Sequence, residues 1–157
     1  GAGILESMRV GEICNREVVY VEQGASVGAA ARMMREHHVG DLVVVEVDEA
    51  PRRPIGILTD RDLVVSALAQ DPEDIARLLV GDLVSRTLVT ITEETDMSEA
   101  LRLMRVHGIR RLPVIGAGDE LVGLLTFDDV VECLAEQLSD LALISTSQRR
   151  REEKLRP

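Results

Sequence analysis

The chain has 157 residues, 45% of them hydrophobic and only Tyr20 and Phe127 aromatic, so it can bury an aliphatic core as one domain or two very small ones. A formal charge of −10 excludes sequence-independent nucleic-acid binding, which relies on a dense basic surface, and disfavours anionic membrane surfaces. No apolar run approaches the ~18 residues of a membrane span and no signal peptide is visible, so a cytoplasmic protein is expected.

In chain order, the first expected element is a short apolar strand, "EVVYV" at 17–21, preceded by "GEIC" with Cys14. A helix follows. Ser26 can accept from the orphan N–H groups of its first turn, and Val27, Ala30, Met33 and Met34 recur at helical spacing. The β-branched run "DLVVVEV" at 41–47 and the run "PIGILT" at 54–59 read as two strands joined by a turn, and "DLVVSALAQ" at 62–70 as a second helix. The connector "DPEDIARLL" at 71–79 reads as a linker helix, with Asp71 as N-cap and Pro72 at the first helical position.

The same series then recurs. "TLVTI" at 87–91 is a strand, and Thr95 or Asp96 caps a helix bearing Met97, Ala100, Leu101 and Met104. "RLPVIG" and "ELVGLLT" are strands, and "DVVECLAEQL", which holds Cys133, closes the unit. Val10 meets Val80, Ala30 meets Ala100 and His37 meets His107 without a gap, and after a longer loop in the first copy Gly56 meets Gly123 and Thr59 meets Thr126. The chain is therefore an α+β protein of two β-α-β-β-α repeats. The expected segments are residues 8–70, a linker helix over 71–79, residues 80–138, and a polar tail over 139–157 that is a solvated helix extension, a frayed end or a basic contact arm. A repeat of about 60 residues cannot cover both faces of a three-stranded sheet, so the two sheets are expected to pack together about a pseudo-twofold. Cys14 and Cys133 read as buried free thiols.

One short stretch appears twice: "GILTDRD" from Gly56 and "GLLTFDD" from Gly123. Thr59 with Asp62 fits a capping box, a helix start worth about 1 kcal/mol on structural grounds alone. The turn also has a glycine open to close approach, a helix N-terminus that favours anions, and a hydroxyl beside a carboxylate that can accept from a vicinal diol. Phosphate plus ribose uses all of these. With no aromatics free to stack, a base would need an aliphatic slot, for which Ile57, Leu58, Val18, Val19, Leu88 and Val89 are available. Backbone groups near Glu17 and Thr87 could read its edge.

The stretches "MREHHVGDLVVV", "GILTDRDLV", "MRVHGIRRLPVI" and "GLLTFDDVV" resemble a tandem pair of CBS domains, the Bateman module, of the stand-alone bacterial type, from about Val10 to Leu138. The resemblance implies two clefts between the sheets that take AMP, ADP, ATP or another adenosyl ligand, and pairs that dimerise into a flat disc. It also implies that cations before the second strand and inside the turn reach the phosphates. Arg110 and Arg111 stand at the first place in repeat two, where repeat one has Gly40 and Asp41. Arg61 stands at the second, where repeat two has Asp128, with Phe127 in the place of Asp60. The favoured cleft is then Ile57, Leu58, Thr59, Arg61, Asp62, Thr87, Leu88, Val89, Arg110 and Arg111. The second, weaker cleft is Val18, Val19, His37, His38, Leu124, Thr126 and Asp129, facing Asp41 and Asp128. Helix-end or packing roles compete for His37 and His107, and surface ion pairing competes for Arg110 and Arg111.

Nothing in the sequence reads as an enzyme: no zinc-ligand spacing, nucleophile elbow or Walker sequence is present. The expectation is a ligand sensor that needs no cofactor, takes an adenine nucleotide as regulatory ligand, forms a homodimer and signals to an effector protein. A structural dimerisation module with vestigial clefts, or a module for NAD or S-adenosylmethionine, are the alternatives.

Overall fold

The computed structural model describes residues 3–46, 50–70, 72–84 and 87–155. β-Branched runs give two three-stranded sheets, one per repeat, each with a central strand buried on both faces. The first orders β1 (Tyr20–Glu22), β2 (Asp41–Val45) and β3 (Pro54–Thr59), and the second orders β4 (Ile91–Thr92), β5 (Arg111–Ile115) and β6 (Leu121–Thr126). In each the first pair is parallel and the second antiparallel, with Asp41 opposite Thr59 and Arg111 opposite Thr126. The edge strands are shorter than the expected 17–21 and 87–91. Pairing begins only at Tyr20 and Ile91, because the residues before Ile91 leave the sheet edge to line the gap between the repeats.

Helix α2 (Val27–His37) starts where Ser26 Oγ accepts from Ala29 N at 3.0 Å, and α5 (Met97–His107) where Asp96 Oδ1 accepts from Glu99 N at 2.8 Å. Asp96 is thus the cap, while Thr95 Oγ1 accepts from Thr92 N at 3.1 Å and holds the turn before it. Both helices end on a left-handed residue: Gly108 at φ 62° after α5 and His38 at φ 53° after α2. After β3, α3 (Asp60–Asp62) continues in wider π-type winding over Leu63–Leu68. After β6, a single helix, α6, runs from Phe127 to Leu155. The connector carries one 3-10 turn, Ile75–Arg77, in place of the expected linker helix, and its proposed cap Asp71 lies outside the described residues.

The two halves exchange their opening segments. Short helices α1 (Ile4–Ser7) and α4 (Val80–Leu83) frame this exchange. Val10 N and Gly11 N donate to Thr95 O and Glu93 O at 2.9 and 3.0 Å, and their counterparts Val80 N and Gly81 N donate to Ala25 O and Gln23 O, both at 2.8 Å. Val80 thereby completes the core of Val21, Ala30, Met34, Leu42, Val44 and Leu58, and Val10 and Cys14 complete the core of Ile91, Met97, Ala100, Leu112 and Leu125. The start of each sequence repeat belongs, in space, to the other half. Two glycines make this crossing possible. A Cβ on Gly56 would lie 2.0 Å from Val84 Cγ1, and one on Gly123 2.9 Å from Cys14 Sγ. Cys14 is buried as expected and its thiol is pushed up chiefly by desolvation, whereas Cys133 is only half-buried, beside Leu134 on the covered side of α6 that Val130 turns to the core.

Candidate functional site

A cleft of about 490 Å³ opens between the halves, within the roughly 300–1,000 Å³ typical of small-molecule sites. One wall comes from the end of β3 and the helix after it: Gly56, Ile57, Thr59, Arg61, Asp62 and Ser66. The other comes from the segments that cross between the halves, Leu83, Val84 and Thr87 to Val89, together with Ile109, Arg110 and Arg111 at the start of β5. Nine of the ten residues expected in the favoured cleft meet here. Leu58 does not: strand alternation points Ile57 and Thr59 into the gap and turns Leu58 into the core, where it is fully buried.

The turn at the floor is a complete capping box. Asp62 N donates to Thr59 Oγ1 at 3.1 Å, and Thr59 N donates to Asp62 Oδ2 at 2.9 Å. The helix-start role is therefore real. It still leaves the Thr59 hydroxyl hydrogen and Asp62 Oδ1 outside the box, on two residues that line the cleft, with N–H groups of the first helical turn beside them.

The cations are arranged differently from expectation. Arg111 does not stand alone before β5: it forms an ion pair with Asp41 at the start of β2, in the other half. Asp41 is largely buried, and desolvation raises its carboxyl despite the opposing Arg111, with Asp60 adding to the rise. Arg110 lies 3.1 Å from Asp128 and over the Phe127 ring at 4.9 Å. Asp41 and Asp128, expected to make the second cleft acidic, are thus matched one to one with the arginines of the first. Arg61 is exposed and makes no ion pair among the described residues. Three guanidinium groups line the cleft, two of them with carboxylate partners.

The second cluster is less well assembled. Asp129 N donates to Thr126 Oγ1 at 3.1 Å, and Leu124 exchanges backbone hydrogen bonds with Asn15 at 2.9 and 2.8 Å, which closes the backbone there. Val19 packs on the first core and Val18 is half-buried. His37 and His38 are exposed at the end of α2, where the His38 N–H caps Met34 O.

Sequence reasoning missed Ser66, Ile109, Leu83 and Val84. Ser66 was legible as the single hydroxyl in "LVVSAL", one helical turn beyond Asp62. Leu83 and Val84 reach the cleft only through the segment exchange, which no local pattern reveals. A larger groove of about 590 Å³ between α1, α5 and the start of α6 is walled by Leu5, Leu101, Met104 and Phe127, with Ser98, Arg102, Arg105 and Arg110 also lining it and no carboxylate among its lining residues. Among the described residues no group of three or more His, Cys, Asp or Glu side chains is placed to hold a metal ion.

The family model for the CBS domain matches residues 10–68 and 80–136. The uncharacterised protein MK0525 of Methanopyrus kandleri is 35% identical over 131 residues, 82% of this chain, and the match spans 63% of that protein's length, less than two thirds. Hypoxic response protein 1 of Mycobacterium tuberculosis is 35% identical over 127 residues, 80% of this chain and 84% of that protein. Its structure, solved with two coordinated zinc ions, matches with a TM-score of 0.69 at 33% identity over 80% of this chain and 98% of that one. The CBS domain pair of protein MJ0100, solved with 5'-methylthioadenosine and S-adenosyl-L-methionine, shares the fold at a TM-score of 0.70 and 22% identity, over 83% of this chain and 98% of that one.

Proposed function

The chain belongs to the CBS-domain family, and on that premise we propose that it is a regulatory module, not a catalyst, that binds an adenine nucleotide in the cleft of Thr59 and Asp62. The observation that carries this reading is the convergence of that turn with Arg61, Arg110 and Arg111 on aliphatic walls from both halves. Ile57, Leu88, Val89 and Ile109 sandwich the base. Asp62 Oδ1 accepts from the ribose hydroxyls, and the phosphates meet the helix start and the guanidinium groups. The MJ0100 pair, which holds two adenosyl compounds on the same fold, supports that ligand class.

Ligand occupancy is read out through Arg111. A phosphate competes with Asp41 for the guanidinium, so binding exchanges a contact between the halves for a contact with ligand and changes their relative geometry. A homodimer in the cytoplasm passes this change to an effector protein. The second reading, a structural dimer with a disused cleft, has in its favour that Arg110 and Arg111 already have acidic partners.

Thermal unfolding with AMP, ADP, ATP, NAD and S-adenosylmethionine separates the two. A ligand at 100 times its Kd stabilises by about 2.7 kcal/mol, whereas a disused cleft leaves the midpoint unmoved by every compound at millimolar concentration. Loss of the shift in Arg111→Ala assigns the phosphate contact.

A further inference from the structure

Ser98, Arg102 and Arg105 follow one another along one stripe of α5, and Leu101, Met104 and Gly108 along the neighbouring stripe. Together they floor the groove of about 590 Å³, which extends over about three helical turns, or ~15 Å. Leu5, Leu101 and Ile109 pack on the second core yet are only half-buried, so they also present apolar surface to the groove. The duplication supplies an internal comparison. Where this half has Leu101, Arg110 and Phe127, the first half has Ala31, Gly40 and Asp60. Two large apolar side chains and a cation thus stand where the other copy has a methyl, a hydrogen and a carboxylate. Core packing does not demand the difference, since Arg110 and Phe127 are both exposed.

Charge selects the occupant. Arg102 is held by Glu99 at 2.7 Å and Arg110 by Asp128 at 3.1 Å, but neither acid lines the groove, and Arg105 makes no ion pair among the described residues. A chain of net charge −10 therefore gathers three guanidinium groups over an apolar floor with no carboxylate between them. These cations are spread along the groove, which suits several acids on an apolar segment better than one head group on a hydrocarbon. None of the lining residues belongs to a strand, so there is no edge for strand addition, and a furrow between helices accepts a helix. We propose that this groove receives an amphipathic helix of a partner protein, with apolar anchors on Leu101 and Met104 and acids toward Arg102, Arg105 and Arg110. Ile109 and Arg110 line the nucleotide cleft as well. On the nucleotide reading above, a phosphate that draws Arg110 into the cleft takes a cation from the groove, so nucleotide and partner helix oppose each other.

Fluorescence anisotropy with the full chain tests the docking. The probe is a labelled, end-capped peptide of about 14 residues, with Leu at i, i+3, i+4 and i+7 and Glu and Ala elsewhere. It should bind about tenfold more tightly than the same peptide with Gln for Glu, and the advantage should shrink as salt rises. Arg105→Glu, Leu101→Ala and Phe127→Asp should each weaken it by about tenfold. The last two install the residue that the first half carries at the same place, and urea unfolding checks that they fold. Equal binding of the Glu and Gln peptides, or undiminished binding by the three variants, overturns the proposal. So does a dimer of the chain that Leu101→Ala and Phe127→Asp dissociate, which gives the groove to a second copy, or tighter binding of sodium dodecanoate than of the Glu peptide. AMP, where its thermal shift is complete, should weaken the peptide about fivefold. Unchanged peptide affinity with AMP bound overturns the coupling. No thermal shift with AMP strikes the nucleotide reading instead, and the docking is then decided by the peptides alone.

Discussion

Asp41 and Arg111 occupy the same position in the two repeats, and they pair with each other. Each starts the central strand of its sheet, so the pseudo-twofold axis passes between their side chains. Duplication of an acid there would have set two carboxylates face to face, and of an arginine two guanidinium groups. One of each lets the halves meet at their axis. It also puts a cleft-lining cation under the control of a largely buried acid.

That pair should respond unequally to the loss of its members. Arg111→Ala leaves the Asp41 carboxylate without its counter-charge and should cost about 1–3 kcal/mol in denaturant unfolding. Asp41→Asn leaves a guanidinium that is already part-exposed, and should stay within about 1 kcal/mol of the parent. The same Asp41→Asn change should tighten nucleotide binding several-fold by isothermal titration, since Arg111 no longer has a competing partner.

The pH dependence follows from the direction of the Asp41 shift. Burial raises its carboxyl above the ordinary value, so the folded chain takes up this proton before the unfolded chain does. Asp41 therefore costs stability at neutral pH, and the cost is relieved as pH falls through its raised value toward the unfolded one. Any advantage of Asp41→Asn should be largest at pH 7 and shrink on acidification. Glu93, Asp96 and Glu99 act in the opposite sense: Arg16 lowers Glu93, the Glu99 N–H lowers Asp96, and Arg102 lowers Glu99. Their contribution is lost as pH falls through those lowered values, which bounds the acid side of the stability curve.

His38 holds a left-handed conformation that its counterpart Gly108 adopts without a side-chain clash. His38→Gly should stabilise by about 0.5–1 kcal/mol, and Gly108→Ala should destabilise by about 1 kcal/mol. For a chain of this size each kcal/mol moves Tm by roughly 2–4 °C, which differential scanning calorimetry resolves.

Gly56→Ala should be worse than Gly123→Ala. The new methyl at 56 would fall on the Val84 side chain, while the one at 123 meets Cys14 Sγ at a longer distance. A loss of about 1–3 kcal/mol is expected at Gly56. Part of it should return in the double variant with Val84→Ala, measured by urea unfolding.

The exchanged segments give a spatially crossed signature. Val80→Ala should cost about 2 kcal/mol and speed amide exchange in β1 and α2 of the first half, and Val10→Ala should do the same in β4 and α5 of the second. Local loosening around the substituted residue alone would contradict the exchange.

The sequence periodicities were sufficient for the two sheets, the four main helices and their caps, because strand alternation, Ser26 and the Thr59 turn are local signals. Leu58 shows where pattern reading failed: apolar character marked it for the cleft, and the side of the strand decided otherwise. The fate of Arg110 and Arg111 was illegible for a different reason. Their acidic partners, Asp128 and Asp41, lie 18 and 70 residues away, and only the crossing of the halves at their axis brings Asp41 to Arg111. Ser66 was visible as an isolated hydroxyl, but its importance depends on a wall supplied from elsewhere.

A protease nick in the connector near Ile75–Arg77 would not release two independent products. Each fragment would keep its leading arm threaded into the body of the other, Val10 in one direction and Val80 in the other, so the cut chain would travel as a single clasped particle until denatured. Joining the duplicated halves covalently is thus a convenience of synthesis; what makes them one molecule is the handshake.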